Sequence, residues 1–511
     1  MSSPDSPGER RARYVLYGAA FSVGAATMGA ELGAARLVAP YFGTSTVVWA
    51  LVIGATLLSL SVGQLFGGWL TSRGVRHRGA LTLLLLSAGL LALLPFVGRP
   101  LMAETLQRFY SEDYGAIVAS ALSVTTLTGV PLLAMGALGP IFLQLIIRDP
   151  DRAGQLGSFL YAWGTIGSLL GTYVSGLILI PLWGTTKTLL FFAAILAMTA
   201  CLFLPTRKAA GLAITGVAVL LIAWAPPIPI KNEPGQLVEA ETAHNYVAVL
   251  QQGQERHLVF NDGFAVQSVY RDDHLPLHGV WGHYAAAPAY GTAPPESVLM
   301  LGLGGGTAAL QYRTLYPEAR VLGVEIDRRV VELGHEYMGL PRDVDVVIED
   351  ARTFLAIDDG HYDVILVDAF QFPYIPFQLT TREFFELLHD RLSPGGVVLL
   401  NVGRDGHRHD VVHALARTSS EIFTHVVGTD VRGTYNSVLF LTDHPPEQAL
   451  GLRPLNLPAD DHRRLLNLDP VSPWQIPPDT PLMTDDHAPI EWLTDLIVLR
   501  HVLGHLRGDA P

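Results

Sequence analysis

The chain has 511 residues, of which 49% are apolar and only 16% charged, and its formal net charge is −13. That acidic balance argues against nucleic acid as a partner, because no basic stripe exists to meet phosphates. The single cysteine, Cys201, excludes an intrachain disulfide and a zinc site built from cysteines. The length allows at least two cores, and apolar segments are concentrated in the first 227 residues.

The first part of the chain predicts a multi-pass membrane domain over 14–227, after a tail over 1–13. Roughly 20 residues are needed to cross the hydrocarbon layer as a helix. Seven apolar segments reach or approach that length, at 14–38, 46–70, 80–98, 115–147, 156–182, 187–205 and 210–227. The first segment is too long, and too little like a leader with a cleavage site, to be a signal peptide.

Basic residues mark alternate connections between these segments. They are Arg10, Arg11, Arg13, Arg73, Arg76, Arg78, Arg148, Arg152, Arg207 and Lys208. The positive-inside rule therefore predicts a cytoplasmic N-terminus. Seven crossings would then leave the rest of the chain outside. Because nucleoside cofactors are supplied in the cytosol, we expect a cytoplasmic catalytic part, with either 115–147 or 210–227 failing to cross.

The remainder of the chain predicts two further units behind a Pro-rich hinge. Alternating runs between 236 and 270 predict a small antiparallel sheet, and a helix is predicted at 278–288, within a subdomain over 235–290. Strands alternate with helices over 291–511, which predicts a Rossmann-like α/β domain of the class I methyltransferase type. The strands are placed near 298–302, 320–325, 344–349, 363–368 and 395–401.

A glycine turn follows the first of these strands. Its glycines, which let backbone approach a ligand at the start of a helix, are Gly302, Gly304, Gly305 and Gly306. Glu325 ends the next strand, about 20 residues later, where a βαβ unit places a carboxylate on ribose hydroxyls. These two features indicate a nucleoside site.

Two aspartates follow the third and fourth predicted strands. Taken singly, Asp350 is equally well an N-cap for the helix that begins at Ala351, and Asp368 is equally well a turn residue. Ligands bind such sheets at the carboxyl ends of the strands. Both aspartates therefore add to the site predicted from the glycine turn and Glu325.

Over residues 239–492 the chain resembles the spermidine synthase family of aminopropyltransferases. It is most similar to the branch that is fused behind a multi-helix membrane region. The resemblance is carried by Gly302–Thr307, Glu325, Asp350–Ala351, Asp368, Asn261–Gly263 with Gln267, Tyr374–Glu383 and Thr484–Pro489. Asn245 stands where the family usually has a glutamine near the nucleoside.

The resemblance implies transfer of an aminopropyl group from decarboxylated S-adenosylmethionine to putrescine or a related amine, with release of methylthioadenosine. Asp368 would be the catalytic base. The nucleoside would be bound by Asn245, Gln267, Gly302, Gly304, Gly305, Gly306, Glu325, Asp350 and Ala351. The acceptor would be bound by Asp262, His278, Gln371 and Tyr374. No metal is expected, and the expected partners are an amine, the lipid bilayer and, optionally, a second copy of the chain.

The sequence departs from the family at three carboxylates. Gly305 replaces the aspartate of the glycine turn, Gln371 replaces the second aspartate of the D-S-S-D element, and Leu277–Gly279 replaces Y-H-E. Burying an ammonium without a counter-charge costs several kcal/mol. The carboxylates left to supply charge are Asp262, Asp272, Asp273, Asp485 and Asp486.

Two alternative functions therefore stay open. One is a methyltransferase, or a related transferase with a non-diamine acceptor, that uses intact S-adenosylmethionine. The carboxylate of that donor would be repelled by an aspartate at position 305, and the sequence has glycine there. The other is a transporter whose nucleoside domain senses its ligand without turnover. The membrane part would either anchor the enzyme or pass a substrate to the site.

Overall fold

The computed structural model describes residues 7–42, 46–109, 115–147, 150–204, 216–217, 229–242, 244–261, 265–369, 375–404, 408–451, 465, 468–490 and 493–494. The chain divides into two compact units. The first comprises Met1–Asn232 with Glu241–Asn245, and the second comprises Glu233–Ala240 with Tyr246–Pro511.

The first unit is helical. Its helices are α1 Pro7–Phe42, α2 Thr46–Ser72, α3 His77–Phe109, α4 Gly115–Ile146, α5 Ala153–Val174 and α6 Ile180–Cys201. A π-helical turn at Ser175–Leu179 joins α5 to α6, and Gly184 (φ 77°, ψ 170°) breaks the helical path inside α6. Apolar side chains at nearly every position of these segments produce long helices with both a packed and an exposed apolar face.

Within the described residues, five helical stretches are long and apolar enough to cross a membrane, judged by length and composition. They are Pro7–Tyr41, Val48–Ser72, His77–Met102, Thr128–Ile146 and Ala153–Cys201. The last stretch has 49 residues and contains the predicted segment 156–182 and most of the predicted segment 187–205. The predicted segment at 210–227 lies almost wholly outside the described residues.

Side-chain contacts fix the directions of these helices. Tyr17 and Phe21 of α1 meet Phe159 and Trp163 of α5 at ring-centroid distances of 6.2 and 6.3 Å, so α1 and α5 run parallel. In α2 and α4, which are also parallel, small residues let the backbones touch. A Cβ added to Gly67 would lie 2.4 Å from the carbonyl oxygen of Ala137.

The second unit begins with a four-stranded antiparallel sheet in the order β1-β2-β3-β4. The strands are β1 Gln236–Glu241, β2 Tyr246–Gln252, β3 Glu255–Phe260 and β4 Val266–Tyr270. Helix α7, Gly279–Ala286, follows. The antiparallel sheet and the helix predicted from the sequence are therefore confirmed, with one additional strand, β1.

The larger sheet has eight strands in the order β12-β10-β11-β9-β8-β5-β6-β7. They are β5 Ser297–Leu301, β6 Arg320–Glu325, β7 Asp345–Ile348, β8 Tyr362–Val367, β9 Leu392–Gly403, β10 His425–Asp430, β11 Asn436–Thr442 and β12 Ser472–Pro473. The predicted strands correspond to β5–β9, which are parallel. The antiparallel extension β11-β10-β12 was not predicted.

Helices cover both faces of this sheet. They are α8 Thr307–Leu315, α9 Arg328–Tyr337, α10 Ala351–Ile357, α11 Arg382–Asp390 and α12 Asp410–Ser419. Strands β5, β8 and β9 are buried on both faces, and their apolar side chains alternate between the two helical layers. Continuous apolar runs are typical of such doubly covered parallel strands. The arrangement leaves the carboxyl ends of β5, β6, β7 and β8 along one edge.

We expect Gly67→Ala to destabilise the helical unit, since its Cβ would overlap the Ala137 carbonyl and force α2 away from α4. Overpacking of this kind costs roughly 1–3 kcal/mol. Gly68→Ala is the matched control, because a Cβ there meets no atom within 4 Å. The measurement is the thermal midpoint in detergent, followed by tryptophan fluorescence. Equal midpoints for the two variants would contradict the described helix packing.

Candidate functional site

The glycine turn brings the ends of β5, β6 and β8 together. Gly302 has φ +88°, which favours glycine, and its N–H donates to the carbonyl of Val324 at 2.9 Å. A Cβ at Gly302 would lie 2.3 Å from the backbone oxygen of Asp368. Only glycine therefore allows the end of β5 to lie against the residue that follows β8.

Glu325 closes the turn from the neighbouring strand. Its carboxylate accepts hydrogen bonds from the Gly304 N–H at 2.8 Å and from the Asp327 N–H at 3.1 Å. The side chain is only 8% exposed, and burial raises its pKa from 4.5 to about 7, while the two N–H donors partly oppose that rise. A buried carboxylate of this kind is stabilised further by any additional donor, such as a hydroxyl group.

The turn has no space for a side chain at Gly305. Its N–H donates to the hydroxyl of Ser268 at 2.8 Å. A Cβ at Gly305 would lie 3.0 to 3.2 Å from the side chains of Ser268, Met338 and Leu258. The aspartate usual in the family therefore cannot be restored here unless these neighbours move. Gln267, which precedes Ser268 on β4, is half-buried beside the turn.

Asp350 caps helix α10. One of its carboxylate oxygens, Oδ1, accepts hydrogen bonds from the N–H groups of Arg352 and Thr353, both at 3.0 Å. The N-cap interpretation is therefore confirmed. The capped helix begins at the carboxyl end of β7, next to Glu325 on β6, whose carbonyl accepts from the Glu349 N–H at 3.2 Å. The buried Ala351 is the first residue of this helix.

Asp368 is supported by two asparagines. The Asn401 amide donates to Asp368 Oδ1 at 2.9 Å, and the Asn436 amide donates to the Asn401 oxygen at 2.8 Å. This second bond fixes the Asn401 amide so that its N–H group faces the carboxylate. Burial raises the pKa of Asp368 from 3.8 to about 6, and the hydrogen bond from Asn401 opposes that rise. Asp368 thus has the pKa of a base that works near neutral pH.

Tyr284 of α7 is the third polar group at Asp368. Its hydroxyl lowers the pKa of the Asp368 carboxyl, and burial followed by the Asp368 charge raises the pKa of Tyr284 well above its usual value. The side chain is 3% exposed, and its hydroxyl has no hydrogen-bond partner of good geometry among the described residues. A bound donor or acceptor would therefore improve the hydrogen bonding of this hydroxyl.

The other predicted acceptor residues are distributed differently. His278 is exposed at the start of α7, and its ring lies edge-on to Trp281 at 5.6 Å. Asp262, Gln371 and Tyr374 lie outside the described residues.

Asn245, the predicted nucleoside contact that precedes β2, is buried and belongs to the first unit. Its carbonyl accepts hydrogen bonds from the Thr242 N–H at 2.8 Å and from the Thr242 hydroxyl at 3.0 Å. These backbone bonds give Asn245 a role in the loop before β2.

Three of the carboxylates that could replace the missing negative charge already lie against arginines. Asp273 accepts two hydrogen bonds from Arg271, each at 2.9 Å, and Asp485 accepts two from Arg352 at 2.7 and 2.5 Å. Asp272 lies 3.7 Å from Arg256. Each would have to give up an arginine to hold an ammonium. Across the described ranges, no group of three or more His, Cys, Asp or Glu side chains is placed to hold a metal ion.

Three residues of the site were not predicted from the sequence. Asn401 lies near the end of the fifth parallel strand, so the strand-end rule that selected Asp368 would also have selected it. Asn436 lies on an antiparallel strand and Tyr284 on a helix, and neither carries a motif. They reach Asp368 only through the packing of α7, β9 and β11 around β8.

Glu325 should make stability depend on pH. Its folded pKa of about 7 exceeds its ordinary value of 4.5, so its protonated form stabilises the fold below pH 4.5, and this contribution is lost as the pH rises through 7. The difference corresponds to at most about 3 kcal/mol. We expect Glu325→Gln to flatten the fall in thermal midpoint between pH 5 and 8, measured without added nucleoside. Glu332→Gln, on the exposed face of α9, is the control and should keep the wild-type slope.

Comparisons with known proteins agree with this geometry. Residues 284–433 match the model of the spermine/spermidine synthase domain. A probable polyamine aminopropyl transferase of Bifidobacterium longum (strain NCC 2705) is 36% identical over 245 residues, which cover 46% of this chain and 54% of the relative. A polyamine aminopropyltransferase of Vibrio vulnificus (strain CMCP6) is 30% identical over 213 residues, which cover 39% of this chain and 70% of the relative.

The chain thus spans about half the length of the Bifidobacterium relative. The alignment with a solved spermidine synthase from Thermotoga maritima covers 52% of this chain and 87% of that protein. The identity is 13% and the TM-score is 0.36, and this likeness is too weak to support an argument about the fold. The Bifidobacterium and Vibrio relatives are both named as aminopropyl transferases. With the glycine turn, Glu325 and Asp368 in one place, the chain belongs to the spermine/spermidine synthase family.

Proposed function

We propose that the protein transfers an aminopropyl group from decarboxylated S-adenosylmethionine to an amine. The observation that carries this proposal is the partly buried Asp368, whose pKa of about 6 suits a base, beside a glycine turn closed by Glu325. The ribose hydroxyls of the donor would bind Glu325. The adenine would lie near Ala351, the first residue of the helix that Asp350 caps.

In the proposed reaction the neutral acceptor nitrogen attacks the donor carbon next to the sulfonium. The new C–N bond forms as the C–S bond breaks, and methylthioadenosine leaves with the C–S electron pair. The proton that the nitrogen loses passes to Asp368. Tyr284 supports this role, because its hydroxyl lies beside the Asp368 carboxyl and helps to stabilise the charged form of that carboxyl.

The acceptor is proposed to be an amine whose far end does not need a buried carboxylate. Asp273 and Asp485 are already paired with arginines, and the amides at Asp368 are neutral. A second ammonium buried near neutral amides would lack a counter-charge and be costly. Putrescine is therefore a less suitable acceptor than a monoamine or an amine whose second group remains in water.

A second candidate is methyl transfer from intact S-adenosylmethionine. It is favoured by Gly305, where neighbouring side chains lie close to the position that a Cβ would take. This position of the turn therefore has no carboxylate that would repel the carboxylate of S-adenosylmethionine. The two reactions differ in their leaving product. Aminopropyl transfer releases methylthioadenosine, and methyl transfer releases S-adenosylhomocysteine.

The helical unit is proposed to hold the enzyme in a lipid bilayer. Large apolar side chains are exposed along α2 and α5, among them Leu65, Trp69, Tyr161 and Leu169. Exposed apolar surface on this scale is unusual for a protein in water, whereas lipid-facing helices require it. Arg73 lies 4.4 Å from the Trp69 ring at the end of α2, where an interfacial tryptophan and a cation are typical of a membrane boundary.

Asp368→Asn tests the proposed base. We expect the transfer rate with the preferred amine to fall by roughly 10²–10⁴-fold, because the amide cannot take the proton, while the affinity for methylthioadenosine is kept. Products are identified by mass spectrometry after incubation with each donor. Asp359→Asn, exposed after α10, is the control and should keep the wild-type rate. Release of S-adenosylhomocysteine alone would overturn aminopropyl transfer in favour of the second candidate.

Asn401→Ala tests the support of that base. Because the Asn401 hydrogen bond stabilises the charged carboxylate, its loss raises the pKa of Asp368 above about 6. A hydrogen bond to a charged group is worth roughly 1.5–3 kcal/mol, which corresponds to about one to two pH units. We expect the acidic limb of the kcat/KM profile to move upward by that amount. An unchanged limb with a uniformly lower rate would show that Asn401 has only a packing role.

A further inference from the structure

Most of the described basic residues at the helix ends and connections of the helical unit lie at one end of it. At the start of α1, Arg10 and Arg11 line a hollow together with Leu202, which follows α6. Nearby, Phe203 stacks on Phe142 at the end of α4, and its ring lies 6.5 Å from the ring of His77 at the start of α3.

The ends of α2 and α4 and the starts of α1 and α5 on this side are also joined by side-chain contacts. Gln144 of α4 donates to the carbonyl of Thr71 at the end of α2 at 3.2 Å. The parallel starts of α1 and α5 meet through Tyr17 and Phe159. The described basic residues of these ends and connections, here called the arginine end, are Arg10, Arg11, Arg13, Arg73, Arg76, Arg78 and Arg152.

The opposite end of the unit holds the last residues before the second unit begins. The Tyr41 hydroxyl at the end of α1 donates to the Ile230 carbonyl at 2.8 Å, and the Lys231 ammonium lies 5.7 Å from the Tyr41 ring. Arg36 donates to the Thr242 carbonyl at 3.5 Å. All five residues belong to the first unit.

A second contact places the Glu241–Asn245 segment at the same end. The Glu241 carboxylate accepts a hydrogen bond from the Thr185 N–H at 3.2 Å and another from the Thr185 hydroxyl, just after the break at Gly184. The adjacent Thr186 accepts a hydrogen bond from Arg99 of α3 at 2.9 Å. The chain therefore leaves the helical unit at Asn232, returns to it at Glu241 and leaves it again at Asn245, in each case at the end opposite the arginines.

The described residues on either side of the apolar run 210–227 lie at opposite ends of the helical unit. Leu204 follows Phe203 at the arginine end, and Ile230 lies at the opposite end. The sequence between them contains the apolar run 210–227, which is about long enough to span the hydrocarbon layer of a membrane. Gly216 lies beside Met198 of α6, since a Cβ there would be 3.7 Å from the methionine Cγ.

We propose that the α/β unit, with Glu325 and Asp368, is on the non-cytoplasmic side of the membrane. The proposal rests on the membrane-spanning role of the helices, although not on the identity of the reaction. Arginine-rich connections stay in the cytoplasm, which places the arginine end there. The chain leaves the bundle at the other end. This side is opposite to the one expected from cofactor supply alone.

The proposed side has a consequence for the reaction sequence. Donor and acceptor must reach the site from outside the cytoplasm. A sulfonium nucleoside is cationic and does not cross the hydrocarbon layer unaided. A transport step must therefore precede the transfer, and the product is formed outside.

The single native cysteine makes a labelling test direct. Cys201→Ser removes it, and the thiol donates to the Ala197 carbonyl, a bond that serine can also make. Ser420→Cys then reports on the second unit and Ser72→Cys on the arginine end, both at exposed positions. Each full-length variant is expressed in a bacterial host, and spheroplasts are treated with a membrane-impermeant maleimide before and after permeabilisation.

We expect Ser420→Cys to be labelled in intact spheroplasts and Ser72→Cys to be labelled only after permeabilisation. Labelling of Ser420→Cys only after permeabilisation would overturn the proposal, as would labelling of both variants in intact spheroplasts. A second pair at exposed positions, Asp359→Cys and Arg76→Cys, repeats the test if either first variant fails to accumulate. Transfer activity is assayed separately in detergent, so the failure of one proposal is distinguishable from the failure of the other.

Discussion

The site depends on two carboxylates whose charged forms are disfavoured by burial and stabilised by hydrogen-bond donors. Burial raises the pKa of Glu325 to about 7 and that of Asp368 to about 6. Backbone N–H groups from the glycine turn and from Asp327 stabilise the first, while a side-chain amide and a phenol stabilise the second. The N–H groups of the turn can reach Glu325 only because Gly302 allows the end of β5 to lie against Asp368, the residue after β8. The fold thus supplies donors where the chemistry needs negative charge.

The amide chain from Asn436 through Asn401 to Asp368 also bears on acceptor choice. Amides orient a carboxylate and lower its pKa without adding negative charge. A family member that lacks the usual acidic residues, and in which Asp272, Asp273 and Asp485 lie against arginines, has less means of attracting a dication. Tyr284 adds a hydroxyl that can bind a neutral nitrogen. The chemistry around Asp368 therefore suits deprotonation of one amine better than recognition of two.

The helical unit shows how charge and connectivity act together. Its interior is held by small residues and apolar packing, and neither specifies a side of the membrane. The asymmetry comes from the arginines, whose transfer across a membrane is costly. Hydrogen bonds of Tyr41, Arg36 and Thr185 decide from which end the chain leaves. The side of the catalytic unit thus follows from two independent features, the charge of the connections and the place of exit.

The sequence by itself determined the elements and their order. Apolar runs marked the helices, βα alternation marked the five parallel strands, and the strand-end rule selected the glycine turn, Glu325 and Asp368. Those signals are local, since each depends on residues close in the chain. Only the tertiary structure decided that Asp485 is held by Arg352, and that Asn401 and Tyr284 reach Asp368. These contacts join side chains that are far apart in the sequence. The packing of the helices on the sheet brings them together, so no local sequence pattern predicts them.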